Sequence, residues 1–167
     1  MVLAGELAPS GPCIRGGGAP VAAREKGTPA PWSVHYFKRH STDPGQLVPV
    51  RAFIDGCPTG VKADIFATLK AVADAPPPQF SGGGKWVAMH GSMKGYHEVR
   101  VMGPRKTLYR VFCLLERTSP GLGLANHSIV AIDGMSKPHG TAFTEKDYAA
   151  VRRLGDEYRG STPRSVI

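Results

Sequence analysis

Residues 95–116 read GYHEVRVMGPRKTLYRVFCLLE, and this stretch decides the fold. It contains two runs rich in β-branched and aromatic residues, separated by the turn residues Gly103 and Pro104. The pattern predicts one strand over residues 96–101 and a second over residues 108–116. A third strand is predicted over residues 128–133, where β-branched residues again dominate. Together these segments predict a meander of three strands.

The sequence outside the meander predicts one further strand and three helices. Alternating apolar residues over 32–37 are typical of a strand. A short helix follows, ended by residues 56–58, and then a longer helix with an apolar stripe formed by Val61, Ile65, Leu69 and Val72. A last helix begins at residues 144–147, which have the spacing of a capping box. Residues 85–89 are amphipathic but too short to assign to either type.

The predicted order of elements is therefore β-α-α-β-β-β-α, an α+β domain with one small, mainly antiparallel sheet. We expect the helices to pack on one face of this sheet. Residues 1–31 are rich in Gly, Ala and Pro without hydrophobic periodicity, so we expect a disordered N-terminal tail. The folded domain is expected over residues 32–160, followed by a flexible C-terminus at residues 161–167.

The composition of the 167 residues excludes several classes of protein. Hydrophobic residues make up 41% and charged residues 20%, as in a globular domain. No apolar run approaches the roughly 20 residues of a transmembrane helix, so we expect a cytoplasmic protein with no membrane partner. The three cysteines include no C-x-x-C pair, which argues against a zinc site and a disulfide framework. We expect neither a metal nor a cofactor.

The positive charge lies on the domain rather than on the tail. Eighteen basic and eleven acidic side chains follow residue 31, so +7 of the net charge of +8 belongs to the domain. Between residues 82 and 140 the sequence holds eight Lys and Arg residues against three acids. This excess indicates a polyanionic partner such as nucleic acid. Four residues of the region are expected to bind RNA: Lys94, Arg105, Lys106 and His139.

Strand periodicity gathers some of these charges on one face of the sheet. Glu98 and Arg100 alternate with two valines, so the two charged side chains point to the same face, which we expect to be open. Arg110 is expected to share this face, with Lys137 at its rim. Arginine forks match phosphate oxygens, and a Glu or His can take the proton of a 2′-hydroxyl. This set of side chains therefore predicts cleavage of an RNA phosphodiester without a metal ion.

Structural roles for the same residues are open alternatives. Arg100 and Arg110 can form cross-strand ion pairs with Glu98 and Glu116. Lys137 can be a solvated surface charge. Two aromatic residues on the predicted strands are candidates either for stacking on bases or for packing in the core: Tyr96 and Phe112.

Several short motifs of the domain resemble one toxin family. They are Met89-His90-Gly91, Gly95-Tyr96-His97-Glu98-Val99-Arg100-Val101, Tyr109-Arg110-Val111-Phe112 and Ile132-Asp133-Gly134-Met135-Ser136-Lys137. In this order they resemble the core of HigB/RelE-type toxins, and most closely the phage-derived HigB-like branch. The resemblance covers residues 32–158. It implies a RelE-like fold and the toxin component of a type II toxin–antitoxin system, a ribosome-associated mRNA endoribonuclease that inhibits translation.

The resemblance also implies roles for single residues. By position, Arg100, Arg110 and Lys137 match basic residues of the family site, and His90 and Lys94 match a His and a Lys before the first meander strand. A Tyr or His near the end of the family's chain has two candidate counterparts, Tyr148 and His139. The expected partners are mRNA on the ribosome and a helix-turn-helix antitoxin. The expected catalytic residues, with the general base left open between the last two, are Arg100, Arg110, Lys137, Glu98 and His90.

Two other functions fit the same basic face. The domain can be a non-catalytic nucleic-acid-binding module, or an interaction module whose basic face receives an acidic segment of the antitoxin. Cleavage of RNA would favour the enzyme. A steep fall of affinity with salt, without cleavage, would favour the binding module.

Overall fold

Five strands form one mixed sheet in the computed structural model, which describes residues 30–39, 45, 47–77, 80, 82–117 and 120–167. The order across the sheet is first, fifth, fourth, third, second, and the first and fifth strands are parallel while the other neighbours are antiparallel. The expected α+β class and mainly antiparallel sheet are confirmed. In chain order the strands are β1 (Ser33–Tyr36), β2 (Trp86–Ala88), β3 (Tyr96–Met102), β4 (Thr107–Glu116) and β5 (Ser128–Pro138).

Three α-helices accompany the sheet within the described ranges: α1 (Pro49–Asp55), α2 (Thr59–Asp74) and α3 (Glu145–Gly160). The observed order is β-α-α-β-β-β-β-α, because the unassigned residues near 85–89 form the additional strand β2. None of the helices in these ranges is long and apolar enough to cross a membrane. The predicted N-terminal tail lies, except for its last two residues, outside the described residues.

The helices pack on both faces of the sheet, which corrects the expectation that they share one face. Val111 and Cys113 of β4 pack on one face with apolar residues of α1 and α2. Phe112 and Leu114 pack on the other face with Val151 of α3. Successive residues of a strand point to opposite faces, so a strand with an unbroken apolar run must be covered on both sides.

A β-bulge in β5 changes which of its residues face α3. Cys113 pairs with Ala131, but the preceding residue of β4, Phe112, pairs with Asp133, so Ile132 is the extra residue. Before the bulge the even-numbered residues of β5 pack toward α3, and beyond it the odd-numbered residues face that side. The position of every side chain on the second half of β5 depends on this one residue.

Residues 165–167 form a further extended segment that pairs with residues 36–38, at the end of β1 and just beyond it. Phe37 and Val166 form an antiparallel bridge, and Tyr36 and Ile167 exchange two backbone hydrogen bonds of 3.0 Å each. This differs from the expected flexible C-terminus. The reason is that β1 pairs with β5 on one side only, so its other side offers free backbone donors and acceptors.

Candidate functional site

Glu98, Arg100 and Arg110 form one group of ion pairs on the α3 face of the sheet, which we call the Glu98 cluster. Arg100 on β3 lies directly opposite Arg110 on β4. Both guanidinium groups bind Glu98 Oε1, Arg100 through Nε at 2.7 Å and Arg110 through Nη1 at 2.7 Å. Like charges directly opposite each other on neighbouring strands are destabilising, so the carboxylate is needed to hold both arginines there. The cluster retains one positive charge in excess.

Two buried polar atoms of the cluster are left without a partner. Glu98 is only 3% exposed, and its Oε2 has no hydrogen-bond partner among the described residues. The same holds for Nε of Arg110. An unsatisfied buried donor or acceptor costs about 1–3 kcal/mol, and more when it is charged, so burying these two atoms without partners destabilises the fold. The expectation of an open face is thus corrected at Glu98, although the Arg100 side chain is 43% exposed.

A cleft of about 230 Å³ reaches this carboxylate, and we call it the His90 cleft. Its lining includes His90 and Ser92 from the connection between β2 and β3, Glu98 and Arg100 from β3, and Tyr148 from α3. His90 is exposed at the mouth of the cleft. The structure therefore brings three of the five expected catalytic residues, and one candidate for the terminal Tyr or His, to one place.

Lys137 lies on the same face as Arg110. It belongs to β5, which extends to Pro138, whereas the sequence placed it just past the strand. Across the sheet it pairs with Leu108, two residues from Arg110. Before the bulge, odd-numbered residues of β5 face α1 and α2, so Lys137 reaches the α3 face because of the bulge.

The first turn of α3 holds Lys137 in an ion pair with Asp147. Lys137 Nζ donates a hydrogen bond of 2.5 Å to Asp147 Oδ2. The same carboxylate accepts from the backbone N–H of Thr144 at 2.7 Å, which confirms the predicted capping box. Hydrogen bonds from Lys137 and from Thr144 lower the pKa of Asp147 to about 2. Asp147 is therefore ionised at neutral pH, and Lys137 has a fixed partner rather than being a solvated surface side chain.

Phe143 links Lys137 to the Glu98 cluster. Its ring centroid lies 5.2 Å from Lys137 Nζ and 5.6 Å from the guanidinium carbon of Arg110, which are cation–π distances. The ring also packs edge-on against Phe112. The sequence prediction missed Phe143. Its place in the sequence, just before the helix cap, could have predicted that it is packed. An apolar residue at that position packs against the fourth residue of the helix, here Tyr148.

Three of the four expected RNA-binding residues meet at the end of the β3–β4 hairpin. Arg105 and Lys106 form its tip, and the backbone N–H of His139 donates to Lys106 O at 2.9 Å. All three side chains are exposed. Arg105 and Lys106 have φ values of 52° and 56°, a region that few residues other than Gly and Asn occupy. The fourth residue, Lys94, is exposed just before the opposite end of β3 and is not brought to this group.

The structure also decides between several alternatives. Tyr96 and Phe112 are 2% and 0% exposed, so they pack in the core and do not offer a ring to a base. Glu116 pairs with Arg164 at 3.7 Å, so Glu98 is the carboxylate that the two arginines share. Within the Glu98 cluster, Glu98 and Arg110 are largely buried in their ion pairs, and Arg100 is the side chain that is exposed to a ligand.

The site as a whole combines an exposed guanidinium, a buried carboxylate oxygen with a free acceptor position, and an imidazole in one cleft. These groups can bind an anion and accept a proton from a hydroxyl beside it. Among the described residues, no group of three or more His, Cys, Asp or Glu side chains could hold a metal ion. Comparison of the chain with protein-family models, with curated proteins and with solved structures finds no match.

Proposed function

We propose that this domain is the toxin component of a type II toxin–antitoxin system, a metal-independent and ribosome-associated endoribonuclease that cleaves mRNA and inhibits translation. One observation carries the proposal: a buried carboxylate with a free oxygen lies between two arginines, at the base of a cleft that also contains His90. The sequence motifs that resemble HigB/RelE-type toxins include all of these residues.

The two arginines provide the binding step. The phosphodiester of the message binds the exposed guanidinium of Arg100, and Arg110 lies directly opposite it on β4. Negative charge grows on the phosphoryl oxygens as the nucleophile attacks, and fixed guanidinium groups stabilise that charge. Lys137, held by Asp147 and Phe143, adds a second cation beside Arg110.

The free oxygen of Glu98 provides the base. Glu98 Oε2 is buried in the structure, so the carboxylate must first turn into the His90 cleft. It then takes the proton of the 2′-hydroxyl, the O2′–P bond forms, and the P–O5′ bond breaks. The products are a 2′,3′-cyclic phosphate and a 5′-hydroxyl, whose oxygen takes its proton from Lys137 or from solvent water. His90, on the wall of the same cleft, is the second candidate for the base.

The partners follow from the same proposal. The substrate is mRNA bound to the ribosome in the cytoplasm, and a helix-turn-helix antitoxin neutralises the toxin. The support for these partners is the family resemblance of residues 32–158 together with the excess of basic residues on the domain.

Single-residue variants test the proposal. Arg110→Ala is expected to lower the rate of mRNA cleavage on ribosomes by a factor of about 10²–10³ and to abolish growth inhibition on expression. Arg100→Ala is expected to have a milder effect and Lys137→Ala an intermediate one. Arg153→Ala, at an exposed position on α3, is the matched control and should remain toxic. If Arg100→Ala and Arg110→Ala both stay fully toxic, the proposed site is wrong.

Two further variants separate the candidate bases. Glu98→Gln keeps the shape and the hydrogen bonds of the side chain but cannot take a proton, so it is expected to abolish cleavage, whereas His90→Gln is expected to retain it. Normal cleavage by Glu98→Gln would transfer the role of base to His90. The thermal midpoint of each variant must be measured alongside, because Glu98 also neutralises the two arginines.

A second function is favoured by the hairpin tip. Arg105 and Lys106 are exposed, carry two positive charges and stand beside His139, which suits phosphate contacts that position an RNA without cutting it. A non-catalytic RNA-binding domain would show affinity that falls steeply with salt, with no cleavage of the bound RNA.

A further inference from the structure

Arg100 lies in the wall between two clefts of different character. One is the His90 cleft. The other has a volume of about 260 Å³ and is lined by Lys85, Arg100, Met102, Leu108 and Arg110, among others. We call it the Met102 cleft. Both arginines of the Glu98 cluster belong to its lining, so an anion bound by Arg100 and Arg110 has one cleft on each side.

The chemistry of the two clefts differs. The His90 cleft contains the groups that can accept a proton, Glu98 and His90. The Met102 cleft has no carboxylate among its described lining residues, and its apolar walls come from side chains such as Met102 and Leu108. Met102 is 53% exposed, which is unusual for a large apolar residue on a strand. The Met102 thioether can pack against a flat apolar ring, and the three basic side chains of the cleft, Lys85, Arg100 and Arg110, can bind a phosphate. A nucleotide combines these two groups.

We propose that the Met102 cleft receives the nucleobase on the 3′ side of the scissile phosphate. This assignment rests on the proposed function. The nucleoside on the 5′ side carries the attacking 2′-hydroxyl, so it must lie where Glu98 and His90 are, in the His90 cleft. In an in-line displacement the leaving O5′ lies opposite the attacking oxygen, and the nucleoside attached to it therefore extends to the other side of Arg100. The RNA strand thus crosses the site with a defined polarity.

The test uses an mRNA whose cleavage position on programmed ribosomes has first been mapped. Two further messages carry an abasic nucleotide, one immediately 3′ and one immediately 5′ of the cut. We expect the 3′ abasic message to be cut about 5- to 10-fold more slowly than the intact one, the effect of losing one apolar contact. Met102→Ala should slow cleavage of the intact message by a similar factor but should have no additional effect on the 3′ abasic message.

The controls make the outcomes distinct. Leu47→Ala removes another apolar side chain that is 50% exposed, but outside both clefts, and should cut all messages at the normal rate. If Met102→Ala slows the intact and 3′ abasic messages equally, or loses its effect on the 5′ abasic message instead, the assigned polarity is wrong. If the unaltered protein cuts no message at all, the proposed function fails first. Equal thermal midpoints for the two variants exclude a folding defect.

Discussion

At the scale of single residues, the buried His97 gives the stability of the domain a dependence on pH. Its side chain lies on the α1–α2 side of the sheet, stacked on Trp86 with ring centroids 5.1 Å apart. Burial lowers the pKa of His97 from its usual value near 6.5. The unfolded chain therefore binds a proton at a higher pH than the folded domain does. The stability that neutral His97 confers is fully present above about pH 6.5 and is lost as the pH falls below it.

We accordingly expect the free energy of unfolding to decrease between about pH 7 and pH 5, and this decrease to become smaller in His97→Phe, which keeps a ring against Trp86. Urea unfolding at a series of pH values measures it. His139→Gln, at an exposed turn, is the control and should retain the full pH dependence. A pH profile that His97→Phe does not change would show that other groups cause it.

Some residues of the site could be predicted from the sequence and others could not. Strand alternation has a fixed period of two, so the common face of Glu98, Arg100 and Arg110 follows from local sequence alone. The burial of Glu98 does not, because it depends on the helix that covers that face. The face of Lys137 depends on a bulge, and the even spacing of apolar residues before a bulge gives no sign of the extra residue.

At the scale of elements, the contact between α3 and β3 is close enough to exclude a methyl group. A Cβ atom at Gly155 of α3 would lie 1.9 Å from the hydroxyl oxygen of Tyr96. Tyr96 is 2% exposed and cannot swing away. This contact sets how near α3 comes to the sheet, and α3 in turn carries Tyr148 and Asp147 to the site.

We expect Gly155→Ala to destabilise the domain by about 1–3 kcal/mol through overpacking, although Ala favours a helix over Gly by about 1 kcal/mol. Chemical denaturation measures this change. Gly160→Ala is the matched control, since a Cβ there meets open space, and it should cost nothing. In a Tyr96→Phe background the cost of Gly155→Ala should shrink, because the nearest clashing atom is gone. An equal cost in both backgrounds would contradict this account.

Elements differ in how clearly the sequence predicts them. The stripe of α2 is confirmed in full, because four turns of amphipathic helix repeat the signal several times; its buried members include Val61, Ile65, Leu69 and Val72. β2 has only three residues, too few for a period to be recognised. The packing side of α3 could not be predicted, since its apolar stripe fits either face of a sheet that is apolar on both.

At the scale of the whole molecule, the two ends of the chain are expected to contribute differently to stability. Deletion of residues 1–31 should leave the thermal midpoint unchanged, because their composition provides no apolar face to bury. Deletion of residues 165–167 should lower the free energy of unfolding by about 3 kcal/mol, at about 1 kcal/mol for each of the three backbone hydrogen bonds to residues 36–38. Thermal and urea unfolding of the two truncated chains measure the contrast. A large loss of stability on the N-terminal deletion, or none on the C-terminal one, would show that the expected domain limits are wrong.

The pairing of residues 165–167 with residues 36–38 has a consequence for association between molecules. An uncovered strand edge is a template on which a second chain can add its own strand. In this sheet, residues 165–167 pair with Tyr36 at the end of the edge strand β1 and with the two residues after it, and the opposite edge, β2, is three residues long. Neither edge of the described sheet thus gives a neighbouring molecule a long row of free backbone groups. The domain therefore offers little template for strand-by-strand aggregation at high concentration, and a chain cut before residue 165 should offer more of it.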